Sequence, residues 1–75
     1  MKLLIKILFS KAGSLIEYKI NDCDENKISF IKRGLEIALR DKISWEFYLN
    51  DECTKHIVIP FSILETSIIQ LEEMK

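Results

Sequence analysis

The stretch KLLIKILFSKAGSLIEYKI, residues 2–20, alternates between apolar and mixed positions on both sides of a short polar turn. Leu3, Ile5 and Ile7 belong to a purely apolar row in the first half, and the second half alternates in the same way. Because successive side chains of a strand point to opposite faces, this period of two predicts two strands that share an apolar inner face. Gly13 in the turn suits a hairpin that requires one positive φ angle. Residues 2–20 therefore predict a β-hairpin.

A helix is predicted from about residue 25 to about residue 40. Apolar residues recur there at helical spacing and fall within one stripe roughly 100° wide; they are Ile28, Ile31, Leu35, Ala38 and Leu39. Asp22 and Glu25 have the spacing of a capping box, and Asp24 is a second candidate for the N-cap. The stripe should face the sheet.

Two further strands are predicted over residues 43–49 and 54–59, with a turn at residues 50–53 between them. Trp45 and Phe47 fall in the inward row of the first of these strands. Pro60 cannot donate a hydrogen bond to a neighbouring strand, so the second should end there.

The last fifteen residues permit two structures. We favour an irregular or 3₁₀ turn over residues 61–66 followed by a short fifth strand, because the run at residues 66–69 is rich in β-branched side chains. A C-terminal helix is the alternative, since Phe61, Leu64, Ile68 and Leu71 also fit a helical stripe.

The predicted fold class is α+β. Residues 1–75 form a single domain in which one helix packs on a mixed or antiparallel sheet, as a two-layer sandwich with the order ββαββ(β). This order resembles the β-grasp, or ubiquitin-like, architecture, and the resemblance covers element order and no motif. Carrier proteins of that architecture end in Gly-Gly, whereas this chain reads Glu72-Glu73-Met74-Lys75. We therefore expect no carrier chemistry.

Composition excludes several classes of protein. With 48% hydrophobic residues, 31% charged residues, two glycines and one proline, the chain is neither disordered nor low in complexity. Its 75 residues are enough for one core only. The net charge of -1 is not that of a basic protein that wraps nucleic acid.

A cytoplasmic location is expected. The apolar N-terminal run is interrupted by Lys6, is far shorter than the roughly 20 residues of a membrane helix, and lacks the small-residue cleavage site of a signal peptide. Two widely spaced cysteines, Cys23 and Cys53, indicate reduced thiols rather than a disulfide framework. The 13 isoleucines and 9 lysines have AT-rich codons, which favours a low-GC bacterium or its phage as the source.

No constellation of side chains indicates catalysis, so we expect neither an enzyme nor a cofactor. Cys53 and His56 have a spacing found in zinc sites, but a closed site needs four ligands and the chain has one histidine. Cys23 lies among acidic residues, which oppose formation of a thiolate. We therefore predict no metal site and no catalytic residue.

One face of the predicted helix carries unexpected apolar residues. Phe30 and Ile37 lie about 180–200° around the helix from Ile28. Gly34 lies between them and Arg33 beside them. Because a glycine within a helix costs roughly 0.5–1 kcal/mol relative to alanine, we interpret this face as a contact surface for a partner.

The sheet face away from the helix shows a similar excess, and a contiguous apolar patch usually marks a binding surface. The predicted partner-binding residues on both surfaces are Phe30, Arg33, Gly34, Ile37, Leu4, Leu8, Tyr48 and Val58, with Leu15 and Ile68 beside them. The sequence thus predicts a small non-catalytic interaction module that binds a protein partner or a second copy of itself. An inhibitor or modulator of a host protein, encoded by a phage or mobile element, is one form of it. A nucleic-acid-binding accessory protein is the alternative, and no membrane partner is expected.

Overall fold

The predicted hairpin is confirmed in the computed structural model, which describes residues 1–50 and 54–74. Strand β1 (Lys2–Phe9) pairs antiparallel with β2 (Ser14–Ile20). Gly13 in the connecting turn has φ +66°, the left-handed conformation that glycine adopts without strain. The inner row of β1 is completely buried at Leu3, Ile5 and Ile7. The alternation in the sequence therefore predicts correctly which face of this sheet packs against the core.

The tail forms a fifth strand, so the alternative of a C-terminal helix is wrong. A single helical turn, α2 (Phe61–Leu64), precedes β5 (Ser67–Met74), which is a full eight residues long. The hydroxyl of Ser67 donates a hydrogen bond to the Ile63 carbonyl at 2.6 Å, which helps to end the turn. Strand β5 pairs antiparallel with the second side of β1, giving the order β2-β1-β5. The tail contains β-branched residues, which disfavour a helix, and it pairs instead with the second side of β1.

Helix α1 (Glu25–Asp41) begins and ends within about one residue of the predicted bounds. Asp24 is the N-cap, and its carboxylate accepts a hydrogen bond from the backbone N–H of Lys27 at 2.7 Å. Asp22 is not the cap, since it lies outside the helix with φ 55°. At the other end, Lys42 adopts the left-handed conformation with φ 57° and its N–H donates to the Ala38 carbonyl.

The predicted core stripe of α1 is not buried along its whole length. Ile28, Ile31 and Ala38 are buried and Leu35 is half-buried, but Leu39 is 46% exposed. Counting 100° per residue, Leu39 lies only about 20° around the helix from the buried Ile28, but it is eleven residues further along, near the end of α1. The assignment of Leu39 to the core is therefore wrong.

Strands β3 (Trp45–Tyr48) and β4 (His56–Ile59) are shorter than predicted and form a separate two-stranded antiparallel sheet. The predicted turn at residues 50–53 falls within the described part of the chain only at Asn50. The inward row of β3 is confirmed, because Trp45 and Phe47 are buried. The element order of the β-grasp architecture is present, but among the described residues the five strands divide into two sheets rather than one.

The core lies between the three-stranded sheet on one side and α1 with the small sheet on the other. Its buried side chains are Leu3, Ile5, Ile7, Ile20, Cys23, Ile28, Ile31, Ala38, Trp45, Phe47, Ile59 and Leu64. The rings of Tyr18 and Phe47 meet edge to face, with centroids 5.8 Å apart, and so link β2 to β3. The fold class is α+β, as predicted. Neither helix of the described residues has the length and apolar character needed to cross a bilayer.

Candidate binding groove between the helix and the small sheet

Phe30 is the most exposed large apolar side chain among the described residues, at 77%. It lies at the mouth of a cavity of about 410 Å³ between α1 and the small sheet. We call this cavity the aromatic groove; its lining residues are Lys27, Phe30, Ile31, Glu46, Phe47, Tyr48, Asn50 and His56. Its volume lies within the roughly 300–1,000 Å³ of ligand clefts in proteins.

The helical wall of the aromatic groove follows from the spacing of three residues. Lys27, Phe30 and Ile31 are three and four residues apart, so their side chains are neighbours on one side of α1. Ile31 is only 4% exposed and forms the floor, while Phe30 stands at the rim. Two consecutive residues of α1 thus differ sharply in exposure, since Ile31 belongs to the core and Phe30 to the surface.

The strand wall is built from a cross-strand aromatic pair. Tyr48 and His56 lie opposite each other in the β3–β4 register, and their rings stack with centroids 4.5 Å apart and planes 22° apart. The Nε2 of His56 lies 3.1 Å from a carboxylate oxygen of Glu46, an ion pair when the imidazole is protonated. This triad fixes the orientation of the Tyr48 ring beside the groove.

The Asn50 side chain, which lines the groove, bonds to the start of the segment that leads into β4. The amide oxygen of Asn50 accepts hydrogen bonds from the backbone N–H groups of Thr54 and Lys55, at 3.1 and 3.4 Å. Its amide nitrogen donates to the Thr54 hydroxyl at 2.7 Å. The side chain of Asn50 is therefore held by Thr54 and Lys55 and presents a polar edge to the groove.

The predicted site residues divide between separate surfaces. The structure brings Phe30 and Tyr48 together in the aromatic groove. Val58 is exposed and lies opposite Glu46 in the small sheet, on the same face as Tyr48. Arg33 is exposed and lines a shallower depression beside Phe30. These four residues lie around one side of α1 and the small sheet.

Gly34 and Ile37 are placed differently from Phe30. A Cβ atom at Gly34 would lie 3.6 Å from the indole ring of Trp45, so this glycine faces the small sheet of its own chain. Ile37 is half-buried rather than fully exposed. The predicted continuous strip of Phe30, Gly34 and Ile37 is therefore not a uniform outer face, because the helix is covered on the side of Gly34.

Leu4 and Leu8 belong to the three-stranded sheet and share no strand pairing with Tyr48 or Val58. Leu8 lies directly between Leu15 and Ile68 in the register, and the three are 37%, 56% and 63% exposed. They form an apolar row across the outer face, whereas Leu4 is half-buried. The expected single patch is thus divided between two sheets.

The charged residues beside these surfaces are largely paired with opposite charges. Lys6 lies 3.5 Å from Glu72 on the outer sheet face, and Lys32 lies 2.6 Å from Glu73. Hydrogen bonding from Arg40 holds the pKa of Asp41 below its usual range and raises the pKa of Arg40. The pair of Arg40 and Asp41 is exposed at the end of α1, far along the helix from Phe30, and it marks no site.

Among residues 1–50 and 54–74, no three His, Cys, Asp or Glu side chains are grouped so that they could hold a metal ion. The candidate pair of Cys53 and His56 lies partly outside this range. Cys23 is buried, and its thiol donates to the Ile20 carbonyl at 3.5 Å. This thiol therefore belongs to the hydrophobic core.

No protein-family model, curated protein or solved structure matches this chain. The interpretation of the aromatic groove therefore depends on its own geometry. Sequence reasoning selected Phe30 and Tyr48 but did not associate Glu46 or His56 with them. The useful signal was the period of two, because it places Glu46, Tyr48 and the partner strand's His56 on one face.

Proposed function

We propose that this protein is a small, non-catalytic module of the cytoplasm that binds another protein through the aromatic groove. The observation that carries the proposal is the position of Phe30, 77% exposed at the mouth of an aromatic cavity. Leaving so large an apolar surface in water forgoes the roughly 1.5–3 kcal/mol that burial of such a side chain supplies. A partner that covers Phe30 recovers this free energy.

The occupant that fits best is an apolar side chain on a partner's peptide segment. The floor of the groove is apolar, with Ile31 and Phe47, and its rim is polar, with Glu46 and Asn50. This arrangement of an apolar centre within a polar rim is typical of protein interfaces, and aromatic residues dominate their binding energy. A leucine- or phenylalanine-like side chain would enter beside Tyr48, and backbone groups of the segment would meet the rim.

A host protein is the partner class that composition favours. The 13 isoleucines and 9 lysines, residues with AT-rich codons, support a low-GC bacterium or its phage as the source. In this proposal the module acts by occupying a surface of its partner. We therefore propose that it inhibits or modulates a host protein.

Nucleic acid is the second candidate partner, and the charge pattern gives it less support. Binding to phosphates requires uncompensated positive charge. On the outer sheet face Lys6 is flanked by Glu17 across one strand pair and is bridged to Glu72 on the other side. The exposed aromatic residues lie in the groove, whose lining holds Glu46 as well as Lys27, so positive charge is not concentrated around them.

A peptide-display selection on the immobilised protein tests the proposal. Selected peptides should carry one recurring large apolar residue and should shift the amide resonances around Phe30, Tyr48 and His56. Phe30→Lys should weaken their binding at least about tenfold, the range of an interface hot spot. Leu39→Lys is the matched control, because Leu39 is also exposed on α1 but lies outside the groove. Equal binding by Phe30→Lys, or selection of no peptide, would count against the groove.

A further inference from the structure

Strand β2 is an open edge of the three-stranded sheet. It pairs with β1 on one side, and no other described strand lies along its second side. Its seven residues include no proline, and most of them are exposed. Because an edge strand carries unpaired backbone N–H and C=O groups, it readily accepts a further strand. The residues along this edge determine which strand can pair with it.

The charges along β2 are best matched by the β2 strand of a second copy of this chain. Opposing residues of an antiparallel pair share a face, so a twofold pairing of β2 with itself places one residue opposite its own copy. Centring on Glu17 sets two carboxylates directly opposite each other, and centring on Ile16 sets Glu17 opposite Leu15. Centring on Tyr18 sets each Glu17 opposite Lys19 of the other copy, which forms two complementary pairs.

The register centred on Tyr18 also matches apolar residues. It sets Ile16 opposite Ile20 of the second copy, and both lie on the inner face, where they pair with Ile7 and Leu3 of β1. Ile16 is 37% exposed although it belongs to this inner row. A neighbouring strand would therefore cover apolar surface that the single chain leaves in water.

The same register extends an existing row of charges on the outer face. Lys6 of β1 already lies opposite Glu17. Lys19 of the second copy would continue this row, so that the charges alternate in sign across three strands. The other edge strand offers no such match, because β5 carries Glu72 and Glu73 and no basic residue.

We propose that two copies of this chain associate by antiparallel pairing of their β2 strands, centred on Tyr18, to form one six-stranded sheet. This proposal concerns the β2 edge and not the aromatic groove, so each can fail without the other. In this register five residues of each β2 strand, residues 16–20, face one another over about 17 Å, at roughly 3.4 Å per residue. This contact is smaller than the roughly 800 Å² per partner of a standard stable interface. The dimer is therefore weak and depends on protein concentration.

Sedimentation velocity from micromolar to millimolar concentration tests the pairing. The wild type should pass from monomer to dimer over this range. Glu17→Lys and Lys19→Glu should each raise the dissociation constant about tenfold or more, because each sets like charges opposite one another twice. An equimolar mixture of the two variants should form a heterodimer, since lysines of one chain then face glutamates of the other. The double variant Glu17→Lys/Lys19→Glu should also regain self-association.

Glu65→Lys is the matched control, with the same change of charge at an exposed position away from β2. It should dimerise as the wild type does. Thermal melting of every variant checks that the fold persists, and the mixture keeps the test informative if one single variant is destabilised. A wild type that stays monomeric at millimolar concentration overturns the proposal. So do single variants that dimerise normally, a mixture that does not associate, or a mass that grows beyond the dimer.

Discussion

The indole ring of Trp45 lies against Gly34, so closely that a Cβ at residue 34 would be 3.6 Å from two indole atoms. The same ring donates a hydrogen bond from Nε1 to the Ile31 carbonyl at 3.3 Å. Trp45 therefore joins strand β3 to helix α1 at two points. Residue 34 therefore faces a contact inside the chain rather than an open surface for a partner.

Gly34→Ala should stabilise the protein. A distance of 3.6 Å is an ordinary van der Waals contact, so a methyl group fits without moving the indole. Alanine should then raise the free energy of unfolding by about 0.5–1 kcal/mol, the difference between the two residues within a helix. Urea denaturation measures this change. Gly34→Leu is the control, and it should lower stability because its longer side chain displaces Trp45. A loss of stability with alanine would contradict the contact described.

Phe30→Lys and Ile31→Lys should have opposite consequences for folding. Phe30 is 77% exposed and Ile31 is 4% exposed. The first change should alter the free energy of unfolding by less than about 0.5 kcal/mol, as is typical of surface positions. The second buries a charge without a partner, which a domain of this size does not tolerate, so the chain should unfold. Circular dichroism with thermal melting distinguishes the two, and equal damage by both variants would place Phe30 in the core.

Local sequence patterns predicted most of the secondary structure because its causes are local. The period of two marked the β1–β2 hairpin, and the β-branched run at residues 66–69 favoured β5 over a helix. The division of the strands into two sheets could not be predicted from local patterns. It depends on contacts between residues distant in sequence, such as that of Tyr18 with Phe47. Leu39 was misplaced for a related reason, since the sheet decides which part of a broad apolar stripe it covers.

The candidate site was predicted only in part. Phe30 was identified because it is apolar but lies on the side of the predicted helix opposite the apolar stripe. That inference requires only the spacing of residues within one helix and no tertiary contact. The groove also needs Glu46 and His56, which reach it through the pairing of β3 with β4. The same sequence reasoning grouped Leu8 with Tyr48, and only the topology shows that they belong to different sheets.

Asp24→Ala should lower the free energy of unfolding by about 0.5–2 kcal/mol, the usual effect of removing an N-cap. The lost interaction is the hydrogen bond from the Lys27 backbone N–H to the Asp24 carboxylate. Asp22→Asn is the control. It should change stability by less than about 0.5 kcal/mol, because asparagine tolerates the positive φ of residue 22 and this residue is not the cap. If the Asp22 variant showed the larger loss, the capping box predicted from the sequence would be the correct interpretation.

Hydrogen exchange should be slowest along β1. This strand alone has paired neighbours on both sides among the described residues, and Leu3, Ile5 and Ile7 are fully buried. Its amides should exchange only when the whole domain unfolds, whereas the four-residue strands of the small sheet should open more readily. In β2, the amides that point away from β1 should exchange fast in dilute solution and slow down at high concentration, as pairing through this edge requires. Proton exchange measured residue by residue by NMR at two concentrations checks both expectations. Slowest exchange in β3 and β4 would show instead that the small sheet with α1 is the most stable unit of the fold.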